Sequence, residues 1–218
     1  MKEWPRCQDG SRLSLLGHRA GVARIGLSLA ADGRTLASCG SDHRICIWDL
    51  ESGRHTRLLN LGAQAATFAP DSKTLATRTP EGTVQLWECG EAAPRLLRSW
   101  KVDPPNLSRA AFGPNGQSLV LVGEDGVVRS WDLTQDPPRS TAFVKKHTDA
   151  IYAVAFAPGE TKLATAGEDG RVVVWTPQGE VLKEWQLSGP VYDVSFASDG
   201  RHLATANAEG TVFVLRLP

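Results

Sequence analysis

Five histidines, four cysteines and a scatter of carboxylates are the groups in this 218-residue chain whose types suit chemistry. Their spacing argues against most of it. His18, His43, His55, His147 and His202 make no H-x-x-x-H or H-E-x-x-H pattern, the arrangement that sets two imidazoles on one helix face for zinc. Cys7, Cys39, Cys46 and Cys89 contain no C-x-x-C pair, so free thiols in a reducing compartment, and hence a cytoplasmic location, are expected. There is no G-x-S-x-G nucleophile elbow, no phosphate loop and no dinucleotide fingerprint. The Glu-Asp-Gly triplets at 124–126 and 168–170 suit calcium or acid–base work on paper, but a hairpin turn with a structural aspartate is the stronger reading. Lys145-Lys146-His147 reads as a solvated loop rather than a nucleic-acid contact. No catalytic residue, no metal and no cofactor is expected.

The elements that carry these residues are short strands. Residues 147–175, HTDAIYAVAFAPGETKLATAGEDGRVVVW, show the plan. Ile151 to Ala157 alternates with period two and stops at Pro158-Gly159. Lys162 to Ala166 is a second strand, closed by a turn ending Asp169-Gly170, where glycine accepts positive φ and aspartate tolerates it. Arg171 to Trp175 is a β-branched third strand closed by tryptophan. Plentiful glycine and proline, with evenly spread apolar residues, suit many strands and turns rather than helices or disorder. Basic and acidic side chains number 24 each, so no global field favours nucleic acid or an anionic membrane. The opening Met-Lys-Glu-Trp-Pro is followed by no apolar segment, so no signal peptide is expected, and no apolar run approaches a membrane span.

The same plan repeats along the chain. Trp48, Trp87, Trp131, Trp175 and Leu215 close successive third strands, 39, 44, 44 and 40 residues apart. Before each lies a strand-turn-strand such as TLASCGSDHRICIW or SLVLVGEDGVVRSW, and before that a turn such as FAPDS or FASDG. Polar turns and fourth apolar segments, such as EVLKEWQL, follow the first four. Four strands every forty-odd residues is the period of a propeller blade, a small sheet that buries its faces only by stacking on neighbours.

Gly17-His18 with Trp48-Asp49, and Trp131-Asp132, make the chain resemble the WD-repeat β-propellers, in five consecutive copies. The resemblance implies an all-β propeller of five four-stranded antiparallel blades within one domain, 1–218. The expected blades are 18–60, 61–101, 102–146, 147–187, and 188–218 with 11–16 as a fourth strand. The ring is either closed by pairing of its terminal strands or an open arc of a larger ring. Trp4, which lies 44 residues before Trp48, makes the chain resemble the C-terminal part of a longer bacterial-type array, and such arrays are often attached to signalling domains. The resemblance also implies a structural hydrogen-bond network: His18, Ser38, Asp42 and Trp48 in one copy, and His147, Thr165, Asp169 and Trp175 in another. The other copies are degraded, with Glu81, Leu121, Glu209 and Leu215 at network positions, and are expected to be less rigidly pinned.

By the same resemblance, partners meet the narrow face around the central channel. Mapped here, that face draws on Ala23, Gln64, Ser108, Tyr152 and Tyr192, and on Ser41, Pro80, Glu124, Glu168 and Ala208. Tyr152, Tyr192, Glu124, Glu168, Ser41 and Ser108 are the expected partner-binding residues. Tyrosine offers large contact area at low entropy cost and glutamate pairs with Lys or Arg, so a basic protein or peptide segment suits them. Trp100 and Trp185 are expected to pack between blades. The expected function is a non-catalytic protein-interaction scaffold. The alternatives are a metal-dependent propeller enzyme and a nucleic-acid-binding propeller.

Overall fold

The structure, a computed structural model, describes residues 15, 17–60, 65–90, 93–103, 105–159 and 162–217. Its architecture is all-β, with antiparallel blades of β-propeller type and no helix among the described residues. The chain divides into two compact units, Met1–Ser99 and Trp100–Pro218.

The first unit holds two sheets. One is β1 (Val22–Leu29), β2 (Thr35–Gly40), β3 (Arg44–Asp49) and β4 (Arg54–Asn60). The other is β5 (Ala65–Phe68), β6 (Thr74–Arg78), β7 (Thr83–Glu88) and β8 (Arg95–Lys101), whose last residues pass into the second unit. The second unit holds three more sheets. These are β9 (Leu107–Phe112) to β12 (Arg139–Lys145) through β10 (Ser118–Gly123) and β11 (Val127–Asp132); β13 (Ile151–Phe156) to β16 (Val181–Gln186) through β14 (Leu163–Gly167) and β15 (Arg171–Trp175); and β17 (Val191–Phe196), β18 (His202–Asn207) and β19 (Val212–Arg216). Within each sheet every strand pairs with its chain neighbours, so only short turns are needed there. The fifth sheet has three strands among the described residues. The fourth strand expected from 11–16, and any closure through it, lies outside those residues except for Leu15, which packs against Cys46, Trp48 and Leu50 of the first sheet. Trp4, Cys7 and Gln64 also lie outside them.

Burial on both faces explains why the second strands are so uniformly small and apolar. In the second unit, Val120, Val122 and Val128 of the third sheet meet Ile151, Val154, Leu163, Val173 and Trp175 of the fourth. The other face of the fourth sheet, Ala164, Ala166, Val172 and Val174, meets Val191, Val194 and Leu203 of the fifth. Trp185 packs half-buried against that layer. In the first unit, Ala37, Cys39, Ile45 and Ile47 meet Ala66, Phe68 and Leu75. Each buried Val, Leu or Ile contributes roughly 1.5–3 kcal/mol. Burial pushes the Cys39 thiol up to about 12, so it packs as an apolar group.

The turns are set by side chains as well as glycine. Asp32, Asp71 and Asp199 each accept backbone N–H groups two and three residues on, folding the chain back between first and second strands. In the following hairpin, the position after the Asp or Glu takes positive φ, at Gly82, Gly126, Gly170 and Gly210. The first sheet places His43 there, at φ 59°, a conformation uncommon for a residue with a Cβ.

Candidate functional site

In the fourth sheet four side chains form one chain of hydrogen bonds. Trp175 Nε1–H donates to Thr165 Oγ1 at 2.9 Å, Thr165 Oγ1 lies 2.8 Å from His147 Nε2, and His147 Nδ1 lies 3.0 Å from Asp169 Oδ1. Burial lowers the His147 pKa below 6.5, against the opposing pull of Asp169, so the ring is neutral at pH 7. A neutral ring facing a carboxylate carries its proton on Nδ1. Nε2 therefore accepts from the Thr165 hydroxyl, which in turn accepts from the indole. Asp169 also accepts the backbone N–H groups of Thr148 and Arg171, tying the loop before β13 to the β14–β15 turn.

The first sheet holds the matching set. Trp48 Nε1–H donates to Ser38 Oγ at 2.7 Å, Ser38 Oγ is 2.7 Å from His18 Nε2, and His18 Nδ1 is 3.0 Å from Asp42 Oδ1. Burial alone would raise the Asp42 pKa, but the Arg19 backbone N–H and the His18 ring outweigh it and hold the carboxyl at about 2. The approach needs a glycine: a Cβ on Gly40 would lie 2.3 Å from His18 Nδ1 and 2.4 Å from Asp42 Oδ1.

The remaining sheets are tied differently. Trp87 donates to Thr77 Oγ1 at 3.1 Å in the second. In the third, Leu121 stands where a hydroxyl is needed and the Trp131 indole N–H is buried without an acceptor. Asp125 is instead gripped by Arg129, whose side chain is 4% exposed. Burial would raise the Asp125 pKa, and the guanidinium beside it brings it below 3.8. In the fifth sheet Thr205 is buried with no partner for its hydroxyl, because the Leu215 side chain has no N–H to give.

At the start of the first strands in the second unit, the expected binding residues part company. The Tyr152 and Tyr192 rings lie 5.9 Å apart at 37°, and the Tyr152 hydroxyl donates to Glu168. Glu124, Glu168 and Tyr192 are exposed; Tyr152 is half-buried. Ser108 is engaged within the fold: its hydroxyl bonds to the Ile151 carbonyl, fastening β9 to β13. Ser41 is exposed in the first unit, its backbone N–H bonded to the Gly21 carbonyl. The backbone N–H groups of Glu124, Glu168 and Ala208 do the same with the Asn106, Ala150 and Pro190 carbonyls. Sequence reasoning missed Arg109, which reaches Asp193 at 3.1 Å across the tyrosine strand, and Arg129. For Arg129 a signal existed: it stands two residues before its tryptophan, where other copies have Cys46, Gln85 and Val173.

Among the described residues no three His, Cys, Asp or Glu side chains cluster to hold a metal ion. No helix among them is long and apolar enough to cross a membrane.

A family model, the WD domain, G-beta repeat, matches residues 10–49, 138–176 and 179–214, together more than half of the chain. The chain is also similar to the WD repeat-containing protein SL1-17 of Schistosoma mansoni, with 38% identity over 88 residues. The match takes in 38% of this chain and 28% of the relative, so the chain spans under a third of that protein's length.

Proposed function

The chain belongs to the WD-repeat family, whose members generally act as non-enzymatic scaffolds for protein–protein interaction, and we propose that it is such a scaffold and binds a basic peptide or protein segment through its second unit. The tyrosine pair beside Glu168, with Glu124 exposed in the equivalent turn of the neighbouring sheet, carries the reading. An incoming Lys or Arg pairs with the carboxylates while its stem and apolar neighbours rest on the exposed Tyr192 ring. A cation over that ring adds about 0.5–2 kcal/mol. The Tyr152 hydroxyl holds Glu168 in place, so the carboxylate is oriented before a partner arrives, which lowers the entropy lost on binding. Asp193 is partly neutralised by Arg109, so Glu124 and Glu168 carry the charge recognition.

Calorimetry and stopped-flow binding with Lys/Arg-containing peptides test this. Glu124→Lys with Glu168→Lys should slow association and flatten its salt dependence, and Tyr192→Ala should speed dissociation. Binding that survives all three substitutions unchanged places the partner elsewhere.

A further inference from the structure

We propose that the cavity between the third and fourth sheets of the second unit is a binding site for a neutral saccharide. Its volume of about 510 Å³ lies in the range of small-molecule sites, roughly 300–1,000 Å³. Gln117, Ser130, Trp131 and Asp132 line one side, and Phe156 and Gln178 the other.

The aromatic wall arises from the broken network. Trp48 and Trp175 are fully buried and held by a Ser or Thr hydroxyl, whereas Leu121 leaves Trp131 no such anchor. Trp131 is half-buried, with the Trp100 ring 5.8 Å away, and its surface forms part of the cavity lining. An indole face carries negative charge density and attracts the weakly positive C–H face of a pyranose. Alongside apolar Val120, Phe156 and Leu163, the lining carries amide and hydroxyl groups, which both donate and accept and so match the dual character of sugar hydroxyls. Among the described residues no Lys, Arg or His lines the cavity, so they offer an anionic ligand no counter-charge. Asp132 is the one charged side chain among the described lining residues. Its Oδ1 accepts from the Thr134 hydroxyl at 2.6 Å and the Thr134 backbone N–H at 2.8 Å, bonds that keep it ionised, and the carboxylate lines the cavity as an acceptor for ligand O–H groups. Nothing in the peptide-binding reading uses these residues.

Saturation-transfer NMR on the full chain, with cellobiose as probe and glucose 6-phosphate as the charged control, decides the matter. Cellobiose ring protons should receive saturation with a Kd on the order of 1 mM, and glucose 6-phosphate should not. Gln178→Ala, at an exposed turn position, should weaken cellobiose binding about tenfold with an unchanged circular dichroism spectrum. Trp131→Ala should abolish it. No transfer to cellobiose, equal transfer to the phosphate, or binding that persists undiminished in Gln178→Ala overturns the proposal.

Discussion

The third and fourth sheets follow one another in the chain and share one strand plan, yet they hold their centres together by different chemistry. In the fourth, Trp175, Thr165, His147 and Asp169 satisfy one another in a neutral relay ending on a carboxylate. In the third, the histidine and the hydroxyl are both missing, and a pair between buried Arg129 and half-buried Asp125 fills the gap. The difference shows in the polar groups left over. Trp131 Nε1 and Ser140 Oγ in the third sheet, and Thr205 Oγ1 and Asn207 Oδ1 in the fifth, are buried without partners, as is Gln85 Oε1 in the second. Among the described residues the first and fourth sheets have no such atom. In the third repeat the carboxylate finds a cation in place of the lost network, but the tryptophan stays unsatisfied.

The largest expected effect breaks the substitute rather than the original. Asp125→Ala leaves a buried guanidinium without its counter-ion and should cost about 3–5 kcal/mol, read as a shift in denaturation midpoint. Adding Arg129→Met should restore most of it, since an apolar pair of similar volume is often as stable. A double variant no better than the single one would mean that Arg129 has other work.

Next in size is a pair of identical substitutions with opposite signs. Thr165→Val removes the partner of both His147 and Trp175 and should destabilise by about 2–3 kcal/mol. Thr205→Val removes a hydroxyl that bonds nothing and should stabilise by about 1 kcal/mol. Equal losses in chemical denaturation would erase the distinction between intact and degraded repeats.

The smallest effect is with pH. His147 has a folded pKa below its ordinary 6.5, so the unfolded chain takes up the proton more readily and stability falls as pH drops below about 6.5. Asp42, held at about 2 against 3.8, contributes stability above about pH 4 that is lost as pH falls towards about 2. Thermal melts across this range should show both declines, and His147→Asn should remove the first and leave the second. A melting temperature flat from pH 7 to 5 in the parent chain would contradict the buried neutral histidine.

What the chain itself determined is the repeat: strand period, turn carboxylates and closing tryptophans are local signals, each readable within a dozen residues. The resemblance to the WD-repeat family, laid on that spacing, also marked which repeats lack a histidine, a hydroxyl or an indole. It could not show what replaces them. Arg129 lies four residues from Asp125, a separation that carries no meaning in a strand until the hairpin brings the two together. The same limit hid the engagement of Ser108 with Ile151, 43 residues away, and the reach of Arg109 to Asp193, 84 residues away. These contacts join different sheets. They depend on how neighbouring sheets stack and turn relative to each other, and that is decided by side-chain packing between sheets rather than by any periodicity along the strand.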